Sequence, residues 1–232
     1  MGEPLVMACV SDVAGQLRGK GFPLKDLEKR RTGGVGWTPT NVQITCFDTI
    51  APSPFGALGD VVLWPDPDRL VEVPLSAGPP LRLVLGDIAE ADGTPWSFCL
   101  RGHLRHLLKR FEAATGLEIR ASFEHEFMLE GIDVGPGFSV AGFRVVQGFG
   151  EALLAALHAA GMEPDSFLRE YGPGQFEVTL RPKPALEAAD DAVLLREITR
   201  AVAREAGLRA TFAPILDSAS VGNGVHIHLS FC

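Results

Sequence analysis

Apolar residues in the first 98 positions come in short runs that are separated by turn-forming residues. The runs are Leu5–Val10, Val42–Phe47, Val61–Trp64, Leu70–Val73 and Leu81–Leu85. Pro65-Asp66-Pro67-Asp68 and Gly78-Pro79-Pro80 lie between them, and such Pro- and Gly-rich pieces are typical of turns. The pattern predicts a small β-rich domain over residues 1–98.

After residue 98 the spacing of apolar residues becomes that of helices. Four of them follow the i, i+3, i+4, i+7 spacing of one helix face: Leu104, Leu107, Leu108 and Phe111. The same spacing predicts two more helices, over about 149–158 and 187–206, and each predicted helix is followed by a glycine that can end it. We expect these helices to back the sheet of a second domain over residues 99–232.

Three segments between the helices alternate strictly between apolar and polar residues, and this predicts strands. They span residues 122–129, 175–180 and 225–231. One face of each strand is apolar. The opposite face carries carboxylate, imidazole and other polar groups: Glu124, Glu126, Gln175, Glu177, Thr179, His226, His228 and Ser230.

This polar face has two interpretations. Antiparallel sheets often have one solvated face. However, the three strands contain no Lys or Arg, and Glu124 and Glu126 repel each other unless a cation or a proton relieves them. Carboxylates with neutral imidazoles suit a divalent metal, and mainly oxygen ligands favour Mg²⁺ or Mn²⁺. The residues alone leave both interpretations open, and they favour His125, on the apolar face, as a core histidine rather than a ligand.

Composition narrows the class of protein without identifying the chemistry. The chain has 232 residues, 46% of them apolar, and a formal net charge of −8. This charge argues against a general surface for nucleic acid or an anionic membrane. Four widely spaced cysteines and the absence of a signal-like N-terminus lead us to expect free thiols in the cytoplasm. No apolar run reaches the ~18 residues of a membrane span, so none is expected.

Five short polar segments occur in a fixed order along essentially the whole chain. They are Arg18-Gly19-Lys20, Gly59-Asp60 with Pro65-Asp66, Glu124-His125-Glu126-Phe127, the stretch Glu170 to Glu177, and the stretch Gly222 to Ser230. Together they resemble the motifs of the glutamine synthetase superfamily. The resemblance implies an α+β fold, with an N-terminal β-grasp domain followed by an incomplete catalytic domain whose antiparallel sheet is backed by helices.

The resemblance also implies an activity. Members of this family are ATP-dependent ligases that join ammonia or an amine to a carboxylate, usually the side chain of glutamate or an analogue, through an acyl phosphate. Two divalent ions, Mg²⁺ or Mn²⁺, neutralise the phosphates in such chemistry. The implied partners of this chain are therefore small-molecule carboxylate and amine substrates.

Residue roles follow from the resemblance by position. Glu126, Glu170 and Glu177 are expected to hold one metal ion. Glu124 and His226 are expected to hold the other ion, which faces ATP. His228 and Ser230 are expected near the nucleotide, and Gly222 near the carboxylate substrate.

Two positions depart from the family pattern. Val221 stands five residues before His226, where the family usually has Asn, Pro, Ala or Thr. Ile215-Leu216 follows Pro214, where a Lys-Pro pair is common. These departures weaken the expectation that L-glutamate is the carboxylate substrate, and they are closer to the γ-glutamyl amide ligases that accept other amines.

The family continues for a long stretch beyond the position of Cys232. That stretch supplies arginines, a further carboxylate and a flap over the acyl phosphate, so no catalytic residue is assigned within this chain and the chain alone is expected to be inactive. The alternative is a catalytically inactive homologue that binds metal or nucleotide as an interaction or regulatory module. The family also forms rings in which one β-grasp domain completes a neighbour's site, so a homo-oligomer is expected.

Overall fold

The computed structural model describes residues 2–55, 59–132 and 135–232, and the chain divides into two compact units. The first unit comprises Met1–Glu72 and Arg82–Leu117, and the second comprises Val73–Leu81 and Glu118–Cys232. All three strands that carry the acidic and imidazole side chains belong to the second unit, so the candidate site lies within it.

The first unit is built on a mixed five-stranded sheet. Its strands and helices are β1 (Leu5–Ser11), β2 (Leu17–Pro23), α1 (Leu27–Gly33), β3 (Val35–Trp37), β4 (Val61–Val73), β5 (Leu81–Ala89) and α2 (Leu100–Thr115). The strand order is β2-β1-β5-β4-β3, with β1 parallel to β5 and antiparallel to β2. Alternate residues of these strands, such as Val6, Ala8 and Leu63, are buried and form the core because successive side chains point to opposite faces.

Two sequence predictions in this unit are wrong. The Pro65–Asp68 stretch is not a turn but lies inside the long strand β4. Strand β3 pairs only with residues 61–63 of β4, so the prolines further along that edge remove no hydrogen bond to β3. The run Val42–Phe47 is not a strand either, because a 3₁₀ helix occupies Pro39–Gln43 and Ile44 makes only an isolated bridge to Ile50.

The second unit is a six-stranded antiparallel sheet with two long helices. Its elements are β6 (Ile119–Leu129), α3 (Val140–Ala159), β7 (Pro164–Arg169), β8 (Gln175–Leu180), β9 (Lys183–Pro184), α4 (Ala185–Glu205), β10 (Ala210–Thr211) and β11 (Val225–Phe231). Strand β6 is central because four other strands pair with it. Strand β8 pairs with residues 124–128 of β6 and β9 with residues 120–121, while β11 pairs with residues 119–125 and β10 with residues 128–129. Helix α4 packs on β6, and α3 packs on β7 and α4.

The helices cover the apolar face of the sheet. Fully buried side chains at their junction include Phe127, Phe176, Leu153, Leu194 and Ile198. The strand predictions for 175–180 and 225–231 are confirmed, and β6 begins three residues earlier than the alternation suggested. The consequence is that the carboxylates of β6 lie on the face away from α4.

All three helices predicted from the sequence are present, but their boundaries differ in places from the predicted ones. Helix α3 begins at Val140 rather than near 149, because the hydroxyl of Ser139 accepts a hydrogen bond from the Gly142 amide at 3.0 Å and caps the helix. Helix α2 has the predicted apolar face, yet none of its residues is fully buried and Leu107 is 42% exposed.

Among the described residues, α3 alone is long and apolar enough to cross a membrane. The core helix of a protein that spans no membrane can meet the same two criteria. None of the four cysteines, all of which lie among the described residues, forms a disulfide.

Candidate metal centre

The polar face of the second sheet brings together carboxylates and imidazoles from three neighbouring strands. In the register of the sheet, Glu124 of β6 lies opposite His226 of β11, and Glu126 of β6 lies opposite Glu177 of β8. These groups are far apart in sequence, but paired residues on one face of antiparallel strands have Cβ atoms only about 5 Å apart. The alternation that predicted three separate strands therefore produces one continuous polar surface.

Both oxygens of the Glu124 carboxylate contact imidazoles of β11. Nδ1 of His226 lies 3.2 Å from Oε2, and Nε2 of His228 lies 3.2 Å from Oε1. Both histidine side chains are 62% exposed, whereas Glu124 is 24% exposed. The two histidines thus fix the orientation of the carboxylate while their own rings stay accessible from solution.

Glu177 is the most buried carboxylate of this surface, with 7% of the residue exposed. Burial raises the pKa of Glu177, and the negative charges of Glu124, Glu170 and Glu126 raise it further, while His226 opposes the shift. The ionised form of Glu177 is therefore disfavoured at this position in the folded protein. A bound cation would remove this penalty by neutralising the surrounding acids.

Ligand atoms from three side chains are close enough to share one ion. One atom each from Glu124, Glu177 and His226 lies within 4.8 Å of the other two. Two carboxylate oxygens and one imidazole nitrogen are a donor set that suits Mn²⁺ or Mg²⁺. The resemblance divided these residues between two ions, with Glu177 beside Glu126 and Glu170, whereas the structure brings Glu177 to the Glu124–His226 pair.

Glu126 is held by two donors. Oε2 accepts a hydrogen bond from Nε2 of Gln175 at 2.7 Å and from the Gly224 amide at 2.9 Å. A Cβ atom on Gly224 would lie 2.9 Å from Oε1 of Glu126, so a larger residue there would displace this carboxylate. The carboxylate is consequently fixed in the same polar surface, and no Lys or Arg among the described residues forms an ion pair with it.

Gln175 connects the parts of the site, although sequence reasoning gave it no role. Its side chain is buried, its Oε1 accepts from the Gly172 amide at 2.8 Å, and its Nε2 also donates to the Gly222 carbonyl at 2.9 Å. A glutamine on the polar face two residues before Glu177 was the available signal. Gln175 therefore ties the turn before β8 to Glu126 and to the loop before β11.

The turn that carries Glu170 is held by a buried arginine that the sequence also did not reveal as important. The guanidinium of Arg169 donates to the carbonyls of Gly172 at 2.6 Å and Gly135 at 3.0 Å, and it lies over the ring of Phe176. The carboxylate of Glu170 accepts from the Tyr171 amide at 3.2 Å. Arg169 thus holds the backbone of this turn through several carbonyls.

The loop before β11 is anchored at its glycine. A Cβ on Gly222 would lie 2.3 Å from the Pro214 carbonyl, and the Asn223 amide donates to that same carbonyl at 2.8 Å. Ser230 lies opposite Arg120 in the register and is exposed, further along β11 than His228. Of the residues expected at the nucleotide, His228 therefore meets the metal-site carboxylate, and Ser230 lies toward the other end of β6.

His125 is buried, with 4% exposure, as the sequence analysis expected of a core histidine. Its ring lies among the rings of Phe123 and Phe212. Burial, assisted by the charge of Arg196, lowers the pKa of His125 to about 4. Its Nδ1 makes no hydrogen bond with any described residue.

Comparisons with known proteins agree over both halves of the chain. Residues 97–232 match the family model "Glutamine synthetase, catalytic domain", and residues 3–96 match "Glutamine synthetase N-terminal domain". The expected fold class is confirmed, while the domain boundary at residue 98 itself stays a prediction.

Among curated relatives, a gamma-glutamylpolyamine synthetase, GlnA3, of Streptomyces coelicolor is 34% identical over 97% of this chain and 50% of its own length. A glutamine synthetase of Pyrococcus horikoshii is 31% identical over 94% of this chain and 48% of its own length. The chain thus spans about half the length of the curated relatives it matches. A solved structure described as a novel glutamine synthase homolog is 43% identical, with a TM-score of 0.94, over 100% of this chain and 56% of that one.

Proposed function

The chain belongs to the glutamine synthetase family, and on that premise we propose that it carries the divalent-metal site and part of the ATP site of a carboxylate–amine ligase. The observation that supports this most directly is the approach of Glu124, Glu177 and His226 to within 4.8 Å of one another. Around them Glu126 and Glu170 add negative charge, and residues 122–129, 175–180 and 225–231 contain no Lys or Arg. The implied ions are Mg²⁺ or Mn²⁺, and ATP is the implied nucleotide.

The side chains of this chain have distinct tasks in the proposed site. Glu124, Glu177 and His226 bind one ion, while Glu126 and Glu170 are proposed for the second. Gln175 and the Gly224 amide orient Glu126. When bound, such ions neutralise the phosphate charges of ATP and of an acyl phosphate, which is the chemistry that the family requires.

The face of β11 toward solution is proposed to meet the nucleotide. His228 is the first candidate, since its Nε2 already contacts Glu124 and its ring is accessible. Ser230 is the second, further along the same face, and Gly222 is proposed to contact the carboxylate substrate. The joining of an amine to a carboxylate is proposed for a protein with the length of the relatives, and a ring oligomer stays a prediction.

The amine substrate is proposed to be larger than ammonia. Val221 and Ile215, both about half exposed, stand where the family usually places residues that suit L-glutamate and ATP. The Streptomyces relative at 34% identity is described as acting on polyamines. Phosphate release by a protein with the full length of the relatives, measured over a panel of carboxylates and amines, tests this proposal. Ordinary efficiency with glutamate and ammonia would contradict it.

A thermal melt with Mn²⁺ or Mg²⁺ tests the metal site directly. A ligand that binds only the folded state stabilises it by about 2.7 kcal/mol at one hundred times its Kd. We expect Glu177→Gln to have two effects of opposite sign. It should raise the melting temperature without metal, because the unfavourable charge is gone, and it should remove most of the shift that Mn²⁺ produces.

The matched control is Glu118→Gln, an exposed carboxylate in the same unit that lies just before β6. It should leave both melting temperatures unchanged. A Mn²⁺ shift that is equal in wild type and in Glu177→Gln would refute the proposed site. So would the absence of any shift at millimolar Mn²⁺.

A further inference from the structure

An open groove lies beside the proposed metal site, where β6 ends. Its volume is about 510 Å³. Its walls include four apolar residues and two carboxylates: Met128, Ile132, Pro173, Leu216, Glu130 and Asp217. We call it the acid-rimmed groove. Its size is within the range of small-molecule sites, which is about 300–1,000 Å³.

The groove adjoins the site through β6 and β8. Met128 follows Glu126 by two residues on the same face of β6, a separation of about 7 Å along a strand. Its partner in the register is Gln175, whose side chain donates to Glu126. The groove therefore begins two residues along β6 from Glu126.

The loop before β11 forms another wall and carries the charge. Oδ1 of Asp217 accepts a hydrogen bond from the Ala219 amide at 2.9 Å. In the parts of the chain that the structure covers, no Lys or Arg forms an ion pair with Asp217. The second carboxylate, that of Glu130, has Oε1 at 3.4 Å from Nε of Arg209, whose side chain is 80% exposed.

This combination of walls and charge selects one class of ligand. A carboxylate without a cationic partner attracts a cation and repels phosphates and carboxylates. Apolar walls add affinity only for a ligand that has hydrocarbon to bury. An inorganic cation would interact only with the carboxylate, and a neutral hydrocarbon only with the apolar walls. A cation that carries a hydrocarbon chain would interact with both.

We propose that the acid-rimmed groove binds a primary alkylammonium ion, with the ammonium against Asp217 and the hydrocarbon chain against Met128 and Leu216. This inference rests on the proposed function, because it assigns the groove to the amine substrate of that site. Glu130 offers a second carboxylate, so a diamine whose length spans the groove can pair at both ends. Arg209 competes with the second ammonium for Glu130.

Calorimetric titration of the whole chain with ammonium, methylammonium, n-butylammonium and butane-1,4-diammonium tests the proposal. We expect binding to tighten about fourfold for each methylene that enters the groove, from about 0.8 kcal/mol per buried CH₂. Asp217→Asn should weaken n-butylammonium binding by about tenfold or more. Leu216→Ser should leave methylammonium binding nearly unchanged and reduce the gain from the longer chain.

The control separates the groove from general attraction to a chain of net charge −8. Asp68→Asn removes an exposed carboxylate of the first unit and should leave n-butylammonium binding unchanged. Arg209→Gln should tighten the diamine and leave n-butylammonium unchanged. Equal affinities for ammonium and n-butylammonium, or equal losses in Asp217→Asn and Asp68→Asn, would overturn the proposal.

The two proposals fail in different ways. If Mn²⁺ shifts the melting temperature but amine affinity does not increase with the length of the hydrocarbon chain, the groove assignment is wrong and the metal site stands. If n-butylammonium binds through Asp217 but Mn²⁺ has no effect, the groove binds amines and the proposed function is wrong. Mn²⁺ thus serves as the readout of the metal site, and n-butylammonium as that of the groove.

Discussion

Replacing His125 with leucine should change how the stability of the second unit depends on pH. The folded state holds His125 neutral, because burial and the charge of Arg196 lower its pKa from 6.5 to about 4. The unfolded chain takes up the proton near pH 6.5, so between these values the unfolded state binds more protons. The contribution of His125 to stability is therefore full above pH 6.5 and is lost as the pH falls toward 4.

The size of the effect follows from the shift. A difference of one pKa unit corresponds to 1.36 kcal/mol, so the lowering to about 4 is worth about 3 kcal/mol of unfolding free energy. His125→Leu leaves a side chain of similar size among Phe123 and Phe212 and has no proton to take up. Glu177 titrates with the opposite sign, since its raised pKa makes stability fall as the pH rises, but Glu177 is present in both proteins and cancels in their difference.

Urea unfolding in EDTA at several pH values from 7 to 4 measures this difference. All three tryptophans, Trp37, Trp64 and Trp96, lie in the first unit, while the long helices α3 and α4 lie in the second. Helical circular dichroism therefore follows the second unit to a large extent, and tryptophan fluorescence is an internal control for the first. We expect the variant to gain about 3 kcal/mol relative to wild type on going from pH 7 to pH 4. Parallel pH profiles of the two proteins would refute the reasoning.

Three further outcomes are expected. Gln175→Met should lower the unfolding free energy of the second unit by about 2–4 kcal/mol in urea titrations, because it removes a donor to the charged Glu126 and to the Gly222 carbonyl and an acceptor for the Gly172 amide. Glu205→Gln should lower the melting temperature more at pH 7 than at pH 3. Hydrogen bonds from the amides of Ala77 and Ser76 lower the pKa of Glu205, so the carboxylate contributes to stability above about pH 4.5, and this contribution is lost as the pH falls below that value. The chain alone, with ATP, Mg²⁺, glutamate and ammonia, should release no more phosphate than a Glu126→Ala control. The metal-site histidines are largely exposed, and solvent there weakens the electrostatic contacts that phosphoryl transfer requires. Turnover clearly above that control would contradict this.

Alternation identified the strands of the site because one face of each is buried and the other is polar. This is why β8 and β11 have the predicted bounds and why Glu124, Glu126 and Glu177 share a surface. The pattern failed where the backbone departs from simple rules, as in β4, whose prolines read as a turn. It failed also at α3, where Val140, Phe143 and Val145 of the first turns are exposed rather than part of the buried face, and where the start of the helix depends on the Ser139 cap.

The partners of buried polar residues could not be read from the sequence. Gln175 and Arg169 look like ordinary polar residues at strand ends, and their importance depends on carbonyls and carboxylates brought to them by folding. The same holds for the proximity of Glu177 to His226, which depends on the register of three strands. Sequence patterns specify which face a side chain occupies, whereas distances between strands come only from the fold.

The central position of β6 has a consequence for the order in which the molecule forms. Strand β11 pairs with β6 across a separation of 102 residues between Glu124 and His226, so this pairing closes a long loop and is among the slowest kinds of contact to form. During synthesis on the ribosome, β6, β8 and the helices that back them emerge before β11 does. A nascent chain therefore carries Glu124, Glu126 and Glu177 for some time without His226, and the metal-binding surface is completed only after nearly all of these 232 residues have left the ribosome.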